Sequence, residues 1–136
     1  MQIPLPDIQS QQRIVFELAT DEAIAQLRKN LSAPRMPPQT YVDESIYPRT
    51  HLLRKHEGWE PPSPEIVRAY FKHFQAHFEA YDTDKKLAGL LKLDSDRRIR
   101  KFKEGSQGVP YEIWRNFLTL TGRAPQDIVS VLAFMG

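Results

Sequence analysis

Apolar positions recur at three- and four-residue spacing through the second half of the chain, and at no fixed spacing through most of the first. That contrast predicts helices in one half and an irregular arm in the other. Ile66, Val67, Tyr70, Phe71, Phe74 and Phe78 form one stripe. Ser63 stands before it as an N-cap. Pro64 and Glu65 follow and suit a first turn, whose N–H groups lack intrahelical partners and favour negative charge. These signals predict a first helix running to about Tyr81. Thr83 or Asp84 caps a short second one holding Leu87, Ala88, Leu90 and Leu91. Ser95 caps a third, from Asp96 to about Lys103, with Ile99 and Phe102 turned inward. After a turn over residues 105–108, Val109 and Pro110 open a fourth. Its inward positions are Ile113, Trp114, Phe117, Leu118 and Leu120, and Gly122 closes it. Pro125 opens a fifth, with Ile128, Val129, Leu132 and Phe134.

Nine of the eleven prolines, from Pro4 and Pro6 to Pro64, lie at or before the first of these helices, so the chain ahead of it reads as an arm. One periodic segment interrupts the arm, Arg13–Asn30. Ile14, Leu18, Ala25 and Leu27 suit a helix, whereas Arg13–Leu18 equally suits a short strand, with Thr20 or Asp21 then capping a helix to Leu31. Ser32–Arg49 is proline-rich and patternless, a linker or a loop pinned to a partner. His51–Trp59 sets the apolar anchors Leu52, Leu53 and Trp59 among basic residues. The expected architecture is mainly α: a compact five-helix domain over 63–136, preceded by a Pro-rich N-terminal arm over 1–62 with one short helix or a strand and helix.

Composition narrows the classes. A chain of 136 residues with 40% hydrophobic content supports one core, and no cysteine is present to form disulfides or thiolate metal sites. The first ten residues lack the basic-then-apolar pattern of a signal peptide, and Ile128–Met135 is too short to span a bilayer. The expectation is a soluble, cytoplasmic protein with no membrane partner. Phosphate-binding glycine loops, nucleophile elbows and paired-carboxylate motifs are missing, so no enzyme activity and no cofactor are expected. His73 and His77 have metal-ligand spacing but neither a third ligand nor an HExxH glutamate, so no metal is expected. The helical spacing of Tyr70, Phe71, Phe74, Phe78, Trp114 and Phe117 marks core rather than a platform for stacking bases.

Charge is informative locally. Between Lys85 and Lys103 stand eight basic residues against Asp94 and Asp96, a net of +6 in a chain whose total is +2. The same segment carries a shape: Leu87-Ala88-x-x-Leu91 on a short helix, a tight turn, a serine-capped helix with Ile99 and Phe102 three apart, then Gly105. It resembles the lambda-repressor-like helix-turn-helix family of phage-type repressors, over about 87–122 in motif and 64–134 in architecture. The turn Lys92-Leu93-Asp94-Ser95 is one residue longer than usual there. The resemblance implies that Ala88 lies where the two helices cross, and that the helix after Ser95 enters the major groove of double-stranded DNA.

Helical geometry then assigns roles. Arg97, Arg98, Arg100 and Lys101 face base edges, with Asp96 as an acceptor for a cytosine amino group and the capping Ser95 counted among the DNA-binding residues. An arginine gripping guanine O6 and N7 supplies roughly 1–3 kcal/mol of discrimination. Lys85, Lys86, Lys92, Lys103, Ser106 and Gln107 suit phosphates, which set register without reading sequence. A second cluster, Arg49, His51, Arg54, Lys55 and His56, reads as a solvated loop in preference to a minor-groove arm. A homodimer is expected, because one helix in one half-site binds weakly. Its candidate interfaces are the apolar fifth helix and the arm segment Ile14–Leu31. The functional expectation is a repressor-type transcriptional regulator of a phage- or plasmid-type element. The alternative is an interaction module, such as an antitoxin or adaptor, whose N-terminal arm holds a protein partner.

Overall fold

Ser63 starts the helix that the sequence marks most strongly, and its Oγ accepts from the Ile66 N–H at 3.4 Å in the computed structural model, which describes residues 7–135. The prolines at 4 and 6 lie outside the described residues, as does Gly136. The described chain is all-α, with five helices and no strand: α1 (Ile8–Asn30), α2 (Pro64–His77), α3 (Asp84–Leu90), α4 (Asp96–Glu104) and α5 (Tyr111–Leu120). It forms two compact units. One comprises the chain up to Met36 together with the stretch from Ile128; the other is Pro37–Asp127. The sequence places a division at 62/63 instead.

In the first unit, α1 replaces the expected short helix or strand-and-helix. Asp7 caps it, accepting from the Ser10 N–H at 2.7 Å, six residues ahead of the expected start. Arg28 and Lys29 in the last turn suit the carbonyl-rich end. No residue of α1 is buried, and these local signals mark its two ends. Phe134 meets the Phe16 ring edge-on at 4.8 Å.

In the second unit, Ile66, Phe71, Leu87, Ile99, Phe102, Trp114, Phe117 and Leu118 build the core. α2 stops at His77 rather than Tyr81, because Phe78 turns extended (φ −124°, ψ 94°). A single 3₁₀ turn over Glu79–Tyr81 then brings the Tyr81 ring over Phe74 at 5.7 Å. Phe78 and Leu120, expected inward, are exposed.

The expected fifth helix from Pro125 does not form among the described residues. Arg115, itself buried on α5, donates to the Pro125 carbonyl at 3.1 Å and pairs with Asp127 at 3.5 Å. Arg54 Nε reaches the Asp127 carboxylate at 2.9 Å, and Tyr111 Oη donates to it at 3.3 Å. These bonds hold 125–127 in a non-helical path, and the β-branched Ile128, Val129 and Val131 beyond it are poor helix formers. Ile128, Val129, Leu132 and Phe134 are exposed, not inward.

The proline-rich stretch 37–62 is fastened to the helices. His51 is buried at 4% exposure. Its Nδ1 accepts from Trp114 Nε1 at 3.2 Å and its carbonyl from Trp59 Nε1 at 3.1 Å. Tyr70 donates to the Glu44 carboxylate, and Arg123 lies over the Tyr70 ring at 4.2 Å. Burial works against the Glu44 charge, but the bonds from Tyr70 and Gln39 and the nearby Arg123 outweigh it and lower the pKa. His73 Nε2 donates to the Pro37 carbonyl at 2.7 Å, and His77 Nδ1 bonds the His73 carbonyl at 2.8 Å. No helix among the described residues is long and apolar enough to cross a membrane.

Candidate nucleic-acid interface

α4 is short, so its hold on the core decides which side chains it can offer. Ile99 and Phe102 are 0% and 1% exposed, packed with Leu87 and Ala88 of α3 and with α2. At 3.6 residues per turn, burying those two turns Arg97, Arg100 and Lys101 outward, and all three are exposed. Arg98 lies at the flank, its guanidinium 5.5 Å from the Phe102 ring centre.

Ser95 occupies the N-cap position with extended backbone (φ −155°, ψ 158°), yet its side chain makes no cap bond. The hydroxyl is exposed, and Asp96 supplies the acidic charge of the first turn. Arg100 pairs with Asp96 at 3.7 Å and Lys86 with Asp82 at 3.0 Å, both one turn apart along the chain and solvent-exposed. Such pairs contribute roughly 0.3–0.5 kcal/mol and open readily to a stronger anion. Lys85, Lys92, Arg97, Arg98 and Lys101 make no ion pair among the described residues.

The turn between α3 and α4 closes with the Leu93 N–H on the Ala88 carbonyl at 2.9 Å and the Lys92 N–H on the Gly89 carbonyl at 3.2 Å. That pattern needs a left-handed residue after the helix, usually glycine, and here Lys92 fills it at φ 60°. A lysine held there costs about 1–2 kcal/mol. Lys92 is exposed, so the strained site displays a cation beside the start of α4.

The chain matches no protein-family model, no curated protein and no solved structure.

Two groups expected at phosphates are placed otherwise. Lys103 sits a quarter exposed, its Nζ 2.6 Å from Asp84 and 3.2 Å from Gln75 Oε1, and so ties α4 to α3 and α2. It is a structural clamp because the helix rotation that buries Ile99 and Phe102 also turns position 103 toward α2. The Ser106 hydroxyl turns back to the Lys101 carbonyl at 3.5 Å, closing the helix end. The Gln107 side chain is exposed, while its N–H bonds the same carbonyl at 3.4 Å.

Other neighbours escape a window that ends at Lys103. Glu104 lies on the outward face with Arg97 and Lys101 and is exposed; carrying the helical rotation one residue further reveals it. Arg68 of α2 donates to the Lys103 carbonyl at 2.6 Å, a cation at the α4 C-terminus for which the sequence holds no local signal. Gly105 ends α4 at φ 83°, and a Cβ there would stand 2.5 Å from Pro64 Cγ, so only glycine fits. Of the second basic cluster, His51 is buried, Arg54 pairs with Asp127, and Lys55 stands 3.8 Å from Glu112. Arg49, Lys55 and His56 are exposed.

Proposed function

We propose that this protein binds double-stranded DNA sequence-specifically, placing α4 in the major groove, and acts as a transcriptional regulator. One observation carries the proposal. α4 buries Ile99 and Phe102 almost completely while exposing Arg97, Arg100 and Lys101 on the opposite side. A rigid helix with cationic, fork-shaped donors on its free face matches the shape and the hydrogen-bond acceptors of a major groove. Arg97 and Arg100 are the base readers, and Lys101 and Arg98 flank them. Lys85, Lys86, Lys92 and Gln107 meet phosphates, which fix register. Glu104 on the same face repels the backbone and limits how far the C-terminal end of α4 can enter. Repression is the expected sign, on the resemblance of 87–122 to phage-type repressors.

The test is a salt titration of binding to random duplexes and to duplexes selected from a random pool. Each phosphate neutralised by a cation contributes roughly 0.9 to the slope of log K against log[salt], so the three lysines alone give a slope of about −3 or steeper for wild type. Replacing Arg97 and Arg100 together by alanine should remove the preference for selected sites while circular dichroism stays unchanged. Undiminished selectivity in that variant, or wild-type binding insensitive to salt, refutes the proposal.

A further inference from the structure

We infer that α1 and the apolar stretch 128–135 form a docking surface for a second copy of this chain, with the two α1 helices antiparallel across a two-fold axis. The chemistry of this surface supports that assignment independently of DNA binding, although a two-fold dimer would present two α4 helices.

Exposed apolar surface is concentrated in one part of the molecule. Among the described residues nineteen large apolar side chains are exposed, and fifteen of them lie in the unit made by the chain up to Met36 and the stretch from Ile128. Leu31, Val129 and Leu132 are 88%, 86% and 99% exposed. Soluble chains seldom leave so much contiguous apolar surface uncovered. Ile14 and Leu18 lie on the far side of α1; the other thirteen, at roughly 60–100 Å² per side chain, offer on the order of 1,000 Å², against roughly 800 Å² per partner in a standard stable interface. A helix of 23 residues with no buried side chain also calls for a cover, because in proteins most helical stability comes from packing an apolar face.

The helix carries a seam suited to a partner helix. Phe16, Ala19, Ala23, Ile24, Leu27 and Leu31 share one side at spacings of three, four and seven. Ala19 and Ala23 are small enough to let two backbones approach. Phe134 sits against Phe16 on this side, so the C-terminal stretch extends the same surface.

Charge selects the occupant. Glu17, Asp21 and Arg28 lie along one edge of the seam, Glu17 bonded at 3.0 Å to Arg13 one turn back in an exposed pair of the weak, i,i+4 kind. In an antiparallel pair each edge meets its own copy, and with the crossing near Ala23 this sets Arg28 against Glu17 and Asp21 of the other chain. A parallel pair would bring Arg28 to the opposite edge, away from both acids. α1 carries Arg13, Arg28 and Lys29 against Glu17, Asp21 and Glu22, so it lacks the basic face that draws a helix to anionic lipid. The surface is complementary to itself.

Sedimentation of the full chain across a dilution series tests the assignment without DNA. Wild type should dimerise and dissociate on dilution. Leu27→Glu should weaken association at least roughly 100-fold, because it sets a charge in the seam. Arg28→Glu alone and Glu17→Arg with Asp21→Arg should each favour monomer, and an equimolar mixture of the two should recover dimer. Thermal unfolding of Pro37–Asp127 should be unchanged in all of these, since α1 buries nothing. A wild-type chain that stays monomeric up to roughly 0.1 mM overturns the inference. So does a Leu27→Glu chain that dimerises like wild type, or a charge-swapped mixture that stays monomeric.

Discussion

α1 and the stretch 37–62 invert the usual association of regularity with burial. α1 is six turns of unbroken helix and buries no side chain. The proline-rich stretch has only single 3₁₀ turns, at Glu44–Ile46, Thr50–Leu52 and Lys55–Glu57, yet it buries His51 and ties it to Trp59 and Trp114. Local signals such as the Asp7 cap mark where α1 begins although none of its side chains is buried. Long-range bonds suffice to order a backbone that has no local signal. A prolyl segment loses little conformational entropy on folding, so a few good bonds hold it.

The largest effect that would break this contrast comes from Trp114, whose ring stacks on Tyr70 at 5.6 Å and whose Nε1 holds His51. Trp114→Ala should cost about 3–5 kcal/mol in urea denaturation and free the proline-rich stretch to proteolysis. A stretch still protected after that loss would mean that it is ordered on its own.

Acid should loosen the same joint. Burial, assisted by the charges of Arg49 and Arg123 and opposed by Glu44, lowers the His51 pKa to about 4. Below pH 6.5 the unfolded chain takes up a proton that the folded chain refuses. Stability that is whole above pH 6.5 is therefore lost as pH falls toward 4, by about 3 kcal/mol over the window. His51→Gln should flatten that part of the stability–pH curve, and a curve of unaltered slope would place the loss elsewhere.

A smaller change separates stability from the proposed DNA binding. Lys92→Gly should raise stability by about 1 kcal/mol by relieving the left-handed strain. It should also lower DNA affinity evenly across sequences and reduce the salt slope by about 1. Smallest of all, Leu18→Ala, on the side of α1 away from the seam, should shift stability by no more than about 0.5 kcal/mol. A larger loss there would show that this side of the helix is covered as well.

What could be read from the sequence follows the same division. Ser63 with Pro64, and Ile99 with Phe102, act within one or two turns, so α2 and the inward face of α4 are legible in the order of residues alone. The unbroken α1 is not, because Ile14, Leu18 and Ala25 lie opposite Phe16, Ile24 and Leu27 and blur the stripe. The missing helix after Pro125 depends on Arg115 and Arg54 reaching Asp127 across 12 and 73 residues. The Lys103–Asp84 clamp spans 19 residues, and a basic residue inside a basic run gives no sign of such a partner. Positions fixed by spacing can be foreseen; positions fixed by a distant counter-charge cannot.

Both tryptophans of the chain donate their indole N–H to one histidine, Trp59 to the His51 carbonyl and Trp114 to its ring. The intrinsic ultraviolet emission of this protein is therefore not an average over its surface. It is an optical gauge of a single joint, and it should redden when 37–62 lifts away from α5 while the remaining helices are still wound.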